Sequence, residues 1–325
     1  MLRTWTRRIA WLTAFTLAAL FVAAGWFAYQ LTARVDGHYF DANGFQIHYT
    51  DEGSGEAVIL VHGLGANADL NWRRAGVTGM LAKEFRVVAL DIRGHGLSQK
   101  SHDPEDYGDE MAEDIVRLMD HLDIPRAHVA GYSLGGFLAL KCVAKHPGRI
   151  ISAAYCASGW KDPTGPEDIL SPYRRPETQQ TRVHGGIEYQ LVHADGGRFT
   201  EGPIDWIKDA IGDSLVDRQS IRAMKKGFRE LIVSQEELAA IRTPGICFIG
   251  TNDGLKPYAD DMHRVQPAIK LVVLDGANHI TTAVRADFQQ GLKEFFKAHA
   301  GAPAQQAACA TPVNRAAALA ATAGN

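Results

Sequence analysis

The sequence predicts an α/β domain, a mostly parallel sheet with helices on both faces, into which a helical cap is inserted. Three observations carry that prediction. Short apolar runs alternate with stretches of helical periodicity through most of the 325 residues. The runs are apolar at successive positions, as strands covered on both faces must be. The alternation breaks once, between about residues 160 and 240.

Taken in order, residues 1–8 form a basic leader with Arg3, Arg7 and Arg8, and the 25 residues 9–33 carry no charge. A helix of that length reaches roughly 37 Å, against a hydrocarbon core of about 30 Å. This predicts an N-terminal transmembrane helix, with Trp5, Trp11, Trp26 and Tyr29 near the interfaces. Three arginines precede the span and only Arg34 follows closely, which puts the N-terminus in the cytoplasm and the rest of the chain on the extracytoplasmic side. The alternative is a chain exported and then released by signal cleavage, for which Val22-Ala23-Ala24 offers small residues.

Next, His38–Asp41 and residues 45–49 flank the turn Ala42-Asn43-Gly44 and predict a β-hairpin. Buried strands are expected at 57–61, 86–90, 127–130, 150–156, 246–249 and 271–274, so the core comprises residues 38–159 and 241–298. The intervening 160–240 holds a proline- and arginine-rich stretch near 171–176 and amphipathic segments near 204–215 and 221–232, the expected cap. Residues 300–325 are alanine-rich and predict a disordered tail.

The 34 basic and 37 acidic residues nearly balance, so no nucleic-acid partner is implied. Cys142, Cys156, Cys247 and Cys309 are widely spaced, which predicts free thiols rather than disulfides or a zinc site. No metal and no cofactor are expected.

Chemistry concentrates at Gly131-Tyr132-Ser133-Leu134-Gly135. It follows a strand directly and opens a helix, the context in which a sharp turn exposes a serine hydroxyl. Glycines at 131 and 135 suit the close approach of strand and helix. A serine that merely capped a helix would need neither a distant base nor a second set of donors. A nucleophilic serine needs both a histidine and a carboxylate to orient it. His279 lies just past the last expected strand, at the head of an amphipathic helix, and Asp253 lies just past the strand before it. Asp275 is the nearest rival acid, but it is too close in sequence to His279 to come from a separate strand. All three candidates fall at carboxyl ends of strands, where open α/β sheets build their sites. Backbone amides of Leu134, beside the serine, and of Leu64, in His62-Gly63-Leu64-Gly65, are placed to hold an oxyanion.

With these motifs in place, residues 38 to 298 resemble the capped, serine-nucleophile branch of the α/β-hydrolase fold family. The resemblance rests on His62-Gly63, on Asp91-Ile92-Arg93-Gly94-His95-Gly96-Leu97-Ser98, on Ser133, and on Asp253 and His279 in that chain order. It implies a serine hydrolase with Ser133, Asp253 and His279 as the triad. It also implies that the turn at 91–98 is structural, which leaves His95 without a role. The small-molecule substrate expected is a carboxylic ester. A membrane anchor beside apolar cap residues such as Trp206 and Phe228 favours a lipophilic acyl group, although those residues equally suit the cap's own core. Lactones, carbon–carbon bonds beside a ketone, and a ligand-binding sensor that keeps the triad are the alternatives. A further rival reads Gly63-Leu64-Gly65-Ala66-Asn67-Ala68 as a dinucleotide loop, with Glu84 or Asp91 on the ribose.

Overall fold

Strands form where β-branched and aromatic residues run without interruption between glycine- and aspartate-rich turns. The computed structural model describes residues 35–164 and 217–301, with scattered positions between 11 and 26. Among the described residues one eight-stranded sheet is built from β1 His38–Asp41, β2 Gln46–Gly53, β3 Ala57–Val61, β4 Arg86–Leu90, β5 Ala127–Tyr132, β6 Ile150–Cys156, β7 Gly245–Gly250 and β8 Lys270–Leu274. Its order is β1-β2-β4-β3-β5-β6-β7-β8. The β1–β2 and β2–β4 pairs are antiparallel and all later pairs are parallel. The helices are α1 Val77–Leu81, α2 Asp109–His121, α3 Leu134–Lys145, α4 Arg218–Gly227, α5 Gln235–Ala240, α6 Lys256–Val265 and α7 Ala286–His299.

Side chains alternate across each strand and feed two cores. Val58, Leu60, Val87 and Phe248 join Phe288 and Phe296 of α7 on one side. Ile59, Val61, Val88 and Ile249 join residues of α2, α3 and α6 on the other. Each such side chain, once buried, contributes about 1.5–3 kcal/mol. The expectation of strands apolar on both faces fails for β8, where Lys270 is exposed and Val273 is 43% exposed. As the last strand it has one neighbour and less cover.

Most of the expected cap, residues 165–216, lies outside the described residues, and with it the segment 204–215. The segment near 221–232 forms α4 and the 3-10 turn Phe228–Leu231. Ile221, Met224, Phe228, Leu231 and Val233 pack into the same cluster as α2 and α3. Trp160 Nε1 donates to the Val233 carbonyl at 2.7 Å, and Lys141 Nζ to the Glu230 carbonyl at 2.6 Å. Among the described residues no helix is long and apolar enough to cross a membrane. The expected span 9–33 lies partly outside them; its described positions are helical. Of the alanine-rich tail only residues 300 and 301 are described. Cys142, Cys156 and Cys247 are buried free thiols, and Cys309 lies outside the described residues.

Candidate active site

Between the end of β5 at Tyr132 and the start of α3 at Leu134 one residue makes the reversal. Ser133 does so at φ 53°, ψ −116°, a conformation that costs an L-residue on the order of 1–3 kcal/mol. Hydrogen bonds at both of its backbone groups hold it there. The Ser133 N–H donates to the Cys156 carbonyl and Ser158 Oγ donates to the Ser133 carbonyl, each at 2.9 Å. The flanking glycines are steric requirements: a Cβ on Gly131 would lie 2.0 Å from the Gly135 carbonyl oxygen, and one on Gly135 would lie 2.2 Å from that of Val61.

The loops after β7 and β8 bring the other two side chains in. They are laced together by Thr251 N–H on the Leu274 carbonyl and Asn252 N–H on the Ala277 carbonyl. His279 Nδ1 lies 2.9 and 3.1 Å from the two carboxylate oxygens of Asp253, and its Nε2 lies 2.9 Å from Ser133 Oγ. The Asp253 side chain is fully buried, while that of His279 is 14% exposed. Asp253 also accepts the Leu255 N–H at 2.9 Å, so its carboxylate is fixed from two directions. Tyr132 Oη donates to the His279 carbonyl. The helix expected to start at His279 begins later: Asn278 Oδ1 accepts the amides of Ile280 and Thr281, a 3-10 turn spans Thr281–Val284, and α7 opens at Ala286. His279 therefore sits on a side-chain-capped turn.

The turn after β3 faces the same point. A Cβ on Gly63 would lie 3.1 Å from Ser133 Cβ. Gly65 takes φ +70°, which favours glycine, and the Ala66 N–H closes the turn on the Gly63 carbonyl at 3.2 Å. The Gly63 and Gly65 amides also have acceptors inside the protein, Asn71 Oδ1 and His95 Nε2. The amide of Leu64 has none among the described residues. The Leu134 amide, at the first position of α3, has no intrahelical partner by construction of a helix. The Leu64 amide, and the Leu134 amide that opens α3, thus lie on the two turns that meet at Ser133. His62 supports the turn, its Nδ1 donating to the Gly63 carbonyl at 2.7 Å while Nε2 accepts the Ile92 N–H at 3.0 Å.

His279 Nδ1 faces both carboxylate oxygens of Asp253, while the backbone carbonyl of Asp275 accepts from Arg285. The dinucleotide reading finds no ribose ligand here. Asp91 accepts from His48 Nδ1 and from the Ala68 and Leu97 amides, and Glu84 pairs with Lys293 and Lys297. Burial opposes the Asp91 charge, but those hydrogen bonds and nearby His62 hold its carboxyl well below the usual range. A Cβ on Gly96 would lie 2.1 Å from an Asp91 oxygen, which explains that glycine. A second Ser–His–carboxylate contact, Ser152–His128–Glu56, has its serine and histidine wholly buried and admits no substrate. Sequence reading missed Asn71, Ser158 and Tyr132. The first two lie 8 and 25 residues from their partners, and nothing in the local pattern marks them.

An elbow serine, a buried aspartate and a histidine at the carboxyl ends of β5, β7 and β8 define a hydrolase-type site, and the chain belongs to the α/β-hydrolase fold family, whose model matches residues 56–192. Among its relatives, a putative carbamate hydrolase of Variovorax paradoxus is 34% identical over 258 residues, 77% of this chain and 95% of that protein. The dihydrolipoyllysine-residue acetyltransferase component of the acetoin cleaving system of Pseudomonas putida is 42% identical over 75% of this chain. The chain spans 64% of that longer protein and 43% of its Cupriavidus necator counterpart. A bacterial membrane phospholipase A of known structure shares the fold with a TM-score of 0.61 at 21% identity, covering 93% of this chain and all of that one.

Proposed function

We propose that the protein is a serine hydrolase that cleaves a carboxylic ester with a lipophilic acyl group through an acyl-enzyme on Ser133. The observation that carries the reading is the continuous hydrogen-bonded line Asp253–His279–Ser133, ending on a hydroxyl held in a strained elbow. His279 Nε2 takes the Ser133 proton as Oγ attacks the ester carbonyl, and the resulting oxyanion accepts from the Leu64 and Leu134 amides. The tetrahedral species then expels the alcohol, which takes the proton back from His279. Water, deprotonated by His279, attacks the acyl carbon, and collapse releases the acid and restores Ser133. Asp253 holds the imidazole with its proton on Nδ1 and stabilises the cation that forms at each attack.

The domain is tethered to the membrane by residues 9–33, with the N-terminus in the cytoplasm and the site on the extracytoplasmic side. Support comes from the uncharged sequence and from Trp11, Leu12, Phe15, Phe21, Val22 and Trp26, each at least 63% exposed. A tether of this kind keeps the site near lipophilic esters. Fluorophosphonate labelling of wild type and Ser133→Ala tests the mechanism; equal labelling overturns it. Competition by short- and long-chain esters, carbamates and lactones tests the substrate class; a carbamate or lactone outcompeting every ester overturns that part. Carbonate extraction that releases the protein from membranes overturns the tether.

A further inference from the structure

The oxyanion turn is held by side chains from two other parts of the fold. Gly63 N–H donates to Asn71 Oδ1 at 2.8 Å, from the π-helix Asp69–Arg73. Gly65 N–H donates to His95 Nε2 at 3.0 Å, from the turn after β4. These are the residues immediately before and after Leu64. We infer that Asn71 and His95 are positioning residues that aim the Leu64 amide at the reacting carbonyl by tying down the amides on both sides of it.

The inference rests on the proposed function, because it assigns Leu64 the oxyanion. Its argument is geometric. A turn whose amides at 63 and 65 point into fixed acceptors has little freedom to rotate the one at 64, and a preorganised donor is what lowers the barrier. Without the Asn71 acceptor, the Gly63 amide is released beside the nucleophile. Without His95, the half-buried Gly65 amide loses its acceptor, and the turn relaxes to repair it. His95 accepts only as a neutral ring with its proton on Nδ1, which faces the Arg93 carbonyl at 3.3 Å. Its setting favours that form: it is 1% exposed, packs edge-on to His62 with centroids 5.1 Å apart, and burial together with His62 pushes its pKa down to about 3. Asn71, half-buried, is the third residue of the π-helix, with its own N–H on the Asn67 carbonyl at 3.0 Å. The turn at 91–98, structural by resemblance, thereby reaches the chemistry through one side chain.

The test uses the full chain and four variants. Asn71→Ala and His95→Leu remove the acceptors, His95→Gln returns an acceptor at about the position of Nε2, and Ser133→Ala gives the background. Turnover of a short-chain nitrophenyl ester, fluorophosphonate labelling rate, affinity for an alkyl boronic acid, and hydrogen exchange across residues 60–68 are measured. Expected are a 10- to 100-fold loss of kcat and a parallel loss of boronic acid affinity in Asn71→Ala and His95→Leu. KM should stay within about twofold of wild type, exchange at 60–68 should rise, and His95→Gln should recover most of the loss. Unchanged kcat in Asn71→Ala overturns the inference even if His95→Leu does not fold. So does a His95→Gln variant that is folded yet as slow as His95→Leu. Wild-type protein that labels no better than Ser133→Ala overturns the proposed function and this inference with it. Ser133-dependent labelling with unaltered brace variants overturns this inference alone.

Discussion

A single methyl group at position 135 tests how the two proposed oxyanion donors, the Leu64 and Leu134 amides, are held together. The Cβ of Gly135→Ala would stand 2.2 Å from the Val61 carbonyl oxygen and 2.6 Å from that of His62, whereas ordinary contact begins at 3.4 Å. One of the two backbones must therefore retreat by about 1 Å. Val61 lies between Leu90 and Gly131 in the middle of the parallel sheet, so α3 is the part that gives. The Leu134 amide and Ser133 move with it, away from the turn that carries Leu64. A misplacement of about 1 Å in a positioned group costs on the order of 100-fold in rate, and overpacking of this kind costs about 1–3 kcal/mol of stability. Labelling rate with a fluorophosphonate and the midpoint of thermal unfolding read the two effects separately. Gly148→Ala is the control, because a Cβ there meets nothing within 4 Å; it should match wild type in both. A Gly135→Ala protein that labels and unfolds like wild type would refute the claim that close helix–strand approach sets the donor geometry.

Asp253→Asn should lower kcat by about four orders of magnitude while the protein stays folded, because an amide in place of the carboxylate stabilises the wrong imidazole tautomer; turnover near normal assigns the role to another carboxylate. Burial holds the His62 and His95 pKa values below the usual 6.5, so the unfolded chain binds these protons first. Stability from each ring is complete above pH 6.5 and is lost as the pH falls towards its folded value, about 3 for His95, at up to about 1.4 kcal/mol per pH unit. Urea unfolding at pH 7, 5.5 and 4.5 should show a shallower decline for His95→Gln than for wild type; identical slopes count against the buried neutral ring. Burial also pushes the Cys142 thiol up to about 12 and raises Cys156 and Cys247. Iodoacetamide at pH 8 should modify none of the three until the protein is unfolded, and native alkylation at any of them, read by mass spectrometry, contradicts their placement.

The hairpin, the strands and the triad candidates were legible in the sequence because each is announced by its own neighbours. Ser133 follows an apolar run and precedes a helix, and Asp253 and His279 each follow an apolar run with a polar turn. Apolar residues in a parallel strand must be buried on both faces, and loops at the strands' carboxyl ends converge whatever the details of the crossovers. Boundaries that depend on a single side-chain bond were not legible. The Asn278 side chain captures the turn that carries His279 and delays α7 to Ala286. The segment near 221–232 reads as amphipathic from its own period, but that the apolar face meets α2 and α3 depends on where the chain returns.

By itself, then, the sequence determined the fold class, the order of the chemical groups along the chain, and which turns carry them, since local periodicity and turn chemistry act over a few residues. Only the tertiary structure decided that His279 Nε2 reaches Ser133 Oγ across 146 positions. The same is true of the sheet order that places β3 between β4 and β5, and of Asn71 and His95 as the acceptors on either side of Leu64. Those contacts depend on strand register and on crossings to within about an ångström, which no local pattern encodes.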